Sequence, residues 1–133
     1  MLMRILFLFF LLVSLSNCKK NSKDTFNTKD QTLIAQADLT SGPSNHSASG
    51  QVKIYEKTGV YSLVFSNFKT DNGPDLRLYF SATTAYIGAT EITELTQTEG
   101  EFFYTLSGYD PTKKTLLIWC KQASVLFGSA TFP

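Results

Sequence analysis

Gln51-Val52-Lys53-Ile54-Tyr55-Glu56-Lys57-Thr58-Gly59-Val60-Tyr61-Ser62-Leu63-Val64-Phe65 decides the fold class of this chain. Val52 and Ile54 fall on one face of an extended segment, and Tyr61, Leu63 and Phe65 alternate on the return. Between them, Glu56-Lys57-Thr58-Gly59 has the composition of a turn. Successive side chains of a strand point to opposite faces, so a period of two with a short polar break predicts a β-hairpin with one apolar face.

The same pattern extends in both directions. On the N-terminal side, Leu33, Ala35, Ala37 and Leu39 alternate through Thr32 to Leu39. On the other side, Asp71-Asn72-Gly73-Pro74 is the strongest turn signal, because Asn and Gly tolerate positive φ and Pro cannot donate to a ladder. Leu76, Leu78 and Phe80 then alternate against Arg77 and Tyr79. Further strands are expected at Glu101 to Leu106, Thr115 to Lys121 and Ser124 to Thr131, with Ser107-Gly108-Tyr109-Asp110-Pro111 as a break. Thr83 to Leu95 reads as a loop with one short strand. No apolar stripe of helical period is long enough for a helix. About seven short strands at this spacing predict an all-β fold, an antiparallel β-sandwich or barrel-like single domain over residues 32–133. Phe65, Phe68, Phe80, Phe102, Phe103, Trp119 and Phe127 are assigned to its core.

The start of the chain is of another kind. Arg4 precedes an unbroken apolar run from Ile5 to Val13, and Leu15-Ser16-Asn17-Cys18 follows. Such a run is too short to cross a bilayer as a helix but suits the apolar region of a secretory signal. Leu and Ser at the third and second positions before the cysteine resemble the lipobox of bacterial lipoproteins. Asn17 departs from it, since Gly, Ala or Ser is usual there. Residues 1–17 are therefore read as a lipoprotein signal peptide and Cys18 as the lipidated residue, with a plain signal peptide or an uncleaved anchor as the alternative. Residues 18–31, polar but for Phe26, cannot bury enough surface to offset the entropy of ordering and are read as a tether. The expected location is the bacterial cell envelope, lipid-anchored through Cys18 at the outer membrane. Basic and acidic residues number 12 and 11. With Arg4 lost they balance, and no basic patch suggests nucleic acid.

Three further segments share a likeness. His46-Ser47-Ala48-Ser49-Gly50, Asn72-Gly73-Pro74-Asp75-Leu76 and Ile118-Trp119-Cys120-Lys121-Gln122-Ala123-Ser124-Val125-Leu126-Phe127-Gly128 stand in one order. They resemble the His-x-x-Ser-Gly motif, the Gly-Pro-Asp turn and the closing Trp-Cys and Phe-Gly elements of the DM-thirteen domain. The resemblance runs from about Leu39 to Phe132 and rests on Ser49, Gly50, Gly73, Pro74, Asp75, Trp119, Phe127 and Gly128. Ala123 departs from it, since many members carry an aromatic there. The family is described as an electron-transfer domain of extracellular redox or hydroxylation systems, with a cysteine as suspected centre. The resemblance thus implies a redox accessory role centred on Cys120, exercised with a redox partner protein.

The ligand inventory narrows that expectation. Both methionines, Met1 and Met3, lie in the leader, and His46 is the only histidine. One His and one remaining thiol cannot build a blue-copper, structural zinc or attached-haem site from one chain. No metal and no cofactor are expected. Alternation places Leu116, Ile118 and Cys120 on one face and Leu117, Trp119 and Lys121 on the other, with Cys120 inward. An inward thiol among apolar side chains is inert unless a neighbour such as His46 stabilises the thiolate. Otherwise Cys120 is a small core hydrophobe. Asp75 and Arg77 share a strand face and are read as a salt bridge, and Glu91, Glu94, Glu99 and Glu101 as solvated charges. No phosphate loop, triad context or nucleophile elbow appears. Two classes stay open: a redox accessory centred on Cys120 and His46, and a non-catalytic binding or scaffold domain with Cys120 buried. Either is favoured over a self-contained enzyme.

Overall fold

In the computed structural model, which describes residues 24–133, the chain forms nine strands. They are β1 (Thr32–Asp38), β2 (Thr40–Ser41), β3 (Ala48–Lys57), β4 (Val60–Thr70), β5 (Leu76–Ser81), β6 (Thr90–Glu94), β7 (Glu99–Leu106), β8 (Thr115–Cys120) and β9 (Val125–Thr131). The signal segment, Cys18 and the first part of the tether lie outside the described residues. All pairings are antiparallel, in one sheet of order β1-β3-β4-β7 and a second of order β2-β9-β8-β5-β6. The fold is therefore an all-β sandwich, as the alternation predicts. Among the described residues no helix is long and apolar enough to cross a membrane.

The Gln51–Phe65 hairpin forms with Lys57 opposite Val60. Thr58 and Gly59 turn it with φ of 49° and 81°, the positive pair that matches the twist of the flanking strands. The Glu56 carboxylate accepts the Gly59 N–H at 2.5 Å. Val52, Ile54, Leu63 and Phe65 on one sheet, and Leu78, Leu116, Ile118 and Cys120 on the other, are all fully buried between the layers. Each large apolar side chain so placed contributes roughly 1.5–3 kcal/mol relative to exposure.

Three expectations change. In β1 a bulge between Leu33 and Ala35 inserts one residue and breaks the alternation. Leu33 and Ile34 are left 45% and 43% exposed, while Ala35 and Ala37 still pack against the core. The break after Asp38 lets the chain change sheets, because β2 pairs with β9 rather than with β3. Phe103 and Trp119 belong to the outer faces and not to the core. Phe26 packs on Tyr55 and Phe103 with ring centroids 5.2 and 5.1 Å away, so the described end of the segment read as a tether runs against the four-stranded sheet. On the other sheet, Tyr86 of loop 82–89 stacks on Trp119, and Leu117 is fully buried although it faces outward.

Candidate functional site

The three sequence segments meet at one end of the sandwich. β3 begins there opposite the end of β4 (Ala48 with Thr70), β5 begins opposite the end of β8 (Leu76 with Cys120), and β9 begins at Val125. The loop from Gly42 to Ser47 lies across the start of β9. Its Gly42 N–H donates to the Phe127 carbonyl at 2.8 Å, and the Ser44 hydroxyl to the Leu126 carbonyl at 2.7 Å. Asn45 turns the loop with φ of 59°. His46 is thereby laid flat on Phe127, with ring centroids 3.8 Å apart and planes 8° apart.

Asp71 holds this loop in place. Its carboxylate accepts the Ser47 N–H at 2.9 Å and the Ser47 hydroxyl at 2.8 Å, and lies 3.6 Å from His46 Nδ1. The return bond runs from the Asp71 N–H to the Ser47 carbonyl. These bonds, the Ser47 N–H first, hold the Asp71 carboxyl below its ordinary value of 3.8. A carboxylate with a lowered folded-state pKa stabilises the fold above its ordinary pKa and loses that contribution as the pH falls through the lowered one. Asp71→Asn is therefore expected to lose less stability than the wild type between neutral pH and pH about 3, read as the shift in urea midpoint. Equal losses would show that Asp71 carries no acid sensitivity.

Beneath the His46 ring the motif residues pack tightly. Gly73 lies against Phe127 and Leu76, and Gly128 against Ala48, where an added methyl would meet the Ala48 Cβ at 2.3 Å. Gly50, at φ 117°, is the single β3 residue opposite a bulge in β4, where Asn67 and Phe68 together face it. Pro74 and Ser49 are exposed at the rim. Asp75 binds on two sides: its carbonyl accepts the Lys121 N–H at 2.8 Å, and its carboxylate accepts Arg77 Nε at 2.5 Å. The Asp75–Arg77 pair thus forms as its spacing predicts, and it is half-buried rather than fully solvated.

Cys120 ends β8 inside this end of the core, a free thiol with no exposed surface. Trp119 projects to the opposite face, as the alternation requires. No hydrogen bond joins His46 to Cys120. The imidazole stacks on Phe127, a member of the buried cluster that contains Cys120, and lies 3.6 Å from the Asp71 carboxylate. Asp71 and Ser47 are the site residues that sequence reading passes over. The signal for them lay in the Asp at the head of the Asp-Asn-Gly-Pro turn and in the polar step after His46.

Among the described residues no three His, Cys, Asp or Glu side chains converge as metal ligands. Two cavities lie elsewhere. One, of about 450 Å³, is on the outer face of the four-stranded sheet beside Phe26 and Tyr55. The other, of about 590 Å³, opens between the sheets at β6 and β7, walled by Phe80, Ile92, Tyr104 and Leu106. Neither is lined by His46, Asp71, Cys120 or Phe127. A family model described as Electron transfer DM13 matches residues 38–132. No curated protein and no solved structure matches the chain.

Proposed function

The chain belongs to the electron-transfer DM-thirteen family, and from that premise we propose that it is a lipid-anchored electron-transfer accessory of the bacterial envelope. In this reading acylated Cys18 holds it at the outer membrane, and the folded domain works with a redox partner protein while Cys120 serves as a core residue. The observation that carries the assignment of Cys120 is its position: no surface of the residue is exposed, and among the described residues no hydrogen bond reaches its thiol. A thiol must be accessible to exchange with a disulfide, and this one has no exposed surface.

A second reading, with Cys120 as a guarded redox thiol, is favoured by one observation. Cys120 is the last residue of β8, next to the exposed turn 121–124, in which Ser124 is held at φ 55°. Local opening at a strand end requires less free energy than global unfolding. Alkylation of the native chain across a denaturant series separates the two. As a core residue, Cys120 reacts on the order of 10⁴-fold or more slowly than in the unfolded chain, at a rate that follows global stability. Fast labelling that ignores denaturant would overturn this and favour the guarded thiol.

The anchor is tested separately. Bacterial acylation attaches several chains, and each buried methylene contributes about 0.8 kcal/mol, so membrane attachment is expected to be stable. Cys18→Ser should leave an unprocessed, unacylated precursor when the membrane fraction is weighed by mass spectrometry. A wild-type chain that is wholly soluble and carries no acyl mass would refute the anchor.

A further inference from the structure

The outer face of the five-stranded sheet carries a second aromatic cluster, distinct from the motif node. Tyr79 on β5 and Trp119 on β8 project from this face, and loop 82–89 folds back to set Tyr86 against both. The Tyr86 and Trp119 rings are parallel, with centroids 4.4 Å apart and 9° between planes. Tyr86 meets Tyr79 edge-on at 5.1 Å. Tyr79 is only 3% exposed, and its phenol donates to Glu91 Oε1 on β6 at 3.1 Å. Glu91 also faces Arg77 Nη1 at 3.9 Å and Lys121 Nζ at 3.6 Å, two cations that offset its charge. Glu91 remains exposed to water while its carboxylate is held among these three partners.

Packing explains the rings, since stacked and edge-to-face pairs are ordinary aromatic geometry. The buried phenol needs an acceptor, and the one it has, Glu91 Oε1, is also a Brønsted base. Indole and phenol rings lose one electron more readily than aliphatic side chains, and an oxidised phenol is so strong an acid that its proton must leave with the electron. A base already bonded to the O–H removes that obstacle. Burial, with the Tyr86 and Glu91 contacts, raises the pKa of the Tyr79 phenol, so in the resting chain the proton stays on oxygen.

We propose that Trp119, Tyr86, Tyr79 and Glu91 form a one-electron relay across the outer face of the sheet. The proposal takes its purpose from the electron-transfer reading above. A high-potential one-electron oxidant, of the ferryl-haem or metal(III)-polypyridyl class, removes one electron from the Trp119 indole. Tyr79 then passes one electron through the Tyr86 ring to the indole radical cation and its O–H proton to Glu91 Oε1. Trp119 is restored, Tyr79 is a neutral phenoxyl radical, and Glu91 is a carboxylic acid. A one-electron donor of the enediol class reduces the phenoxyl, and the proton returns from Glu91. The net transfer is one electron from donor to oxidant, with no protein group consumed. Cys120 takes no part, because it points from the same strand into the core.

The chain has a single tryptophan, so an indole radical can arise at one place only. Flash-generated tris(bipyridine)ruthenium(III), applied to the folded chain, should produce the indole radical band and then its replacement by a phenoxyl band. Tyr79→Phe, with its fold checked by circular dichroism, should lose the phenoxyl product and lengthen the indole radical lifetime. Glu91→Gln should slow the transfer on the order of 10²-fold, the lower range for loss of a positioned base, because the phenol proton must then pass to water. An unchanged phenoxyl yield in Tyr79→Phe, or an unchanged rate in Glu91→Gln, overturns the relay. The two readings fail separately. An external oxidant tests the relay without any partner, so its failure leaves the accessory role standing, and labelling of Cys120 leaves the relay untouched.

Discussion

Gly50→Ala is expected to lower the unfolding free energy by about 3 kcal/mol or more. Two costs fall on one methyl group. Gly50 sits at φ 117°, where an L residue is strained by roughly 1–2 kcal/mol. Its added Cβ would also lie 2.7 Å from the Asn67 carbonyl oxygen, 2.9 Å from the Ser66 carbonyl oxygen and 2.9 Å from the Phe68 Cα. All three are backbone atoms of β4, opposite a register shift in each strand, so no rotamer change relieves the contact. Overpacking of this kind costs about 1–3 kcal/mol. The Gly50 carbonyl also accepts the Leu39 N–H at 2.8 Å, which ties the bulge to the point where the chain changes sheets. Chemical denaturation should show a lower midpoint at an unchanged slope. Gly50→Asn should be nearly as damaging, since Asn tolerates positive φ but keeps the offending Cβ. If Asn restores full stability, the close approach is not the cause.

Phe65→Ala should cost about 3–5 kcal/mol, the range for truncating a fully buried phenylalanine. The ring is the centre of an aromatic group in the four-stranded sheet. It stacks on Phe102 at 4.8 Å and meets Phe68 edge-on at 5.1 Å and Tyr104 at 6.3 Å. It has no exposed surface, and the neighbours that would have to close the void are held by β4 and β7. For a domain of this size each kcal/mol moves the melting temperature by roughly 4–8 °C, so calorimetry should show a drop of about 15 °C or more. Val60→Ala, at a residue 50% exposed beside the hairpin turn, should move it by a few degrees at most. Comparable losses at the two positions would mean that the aromatic group is not the mechanical centre of the fold.

Phe65 falls where local pattern and tertiary packing agree, and such parts were legible beforehand, whereas Gly50 sits at an irregularity that only the pairing of β3 with β4 creates. A strand has two faces and its residues alternate between them, so Val52, Ile54, Leu63, Phe65, Ile118 and Cys120 could be placed inside by counting. The Glu56–Gly59 turn was visible from its polar composition and its glycine, although Thr58 takes a positive φ that β-branched residues rarely adopt. The β1 bulge was not visible: the run from Leu33 to Leu39 alternates without a fault in sequence, and the extra residue is demanded only by pairing with β3. Two-residue β2 was too short to carry a pattern, and short β6 stood in a stretch read mostly as loop.

The sequence by itself determined the all-β class, the inward direction of Cys120 and the motif residues that mark the family. These depend on chain chemistry within a few residues. Tertiary structure alone decided what covers each face. His46 finds Phe127 and Asp71, residues far along the chain, and the imidazole turns to them rather than to the thiol. Tyr86 comes down on Trp119 because loop 82–89 folds across β8, and Glu91 becomes the partner of Tyr79 because β6 pairs with β5. Alternation says which side of a sheet a residue occupies. It is silent about which distant segment closes over that side, because burying the apolar surface left on both faces is settled by the whole chain at once.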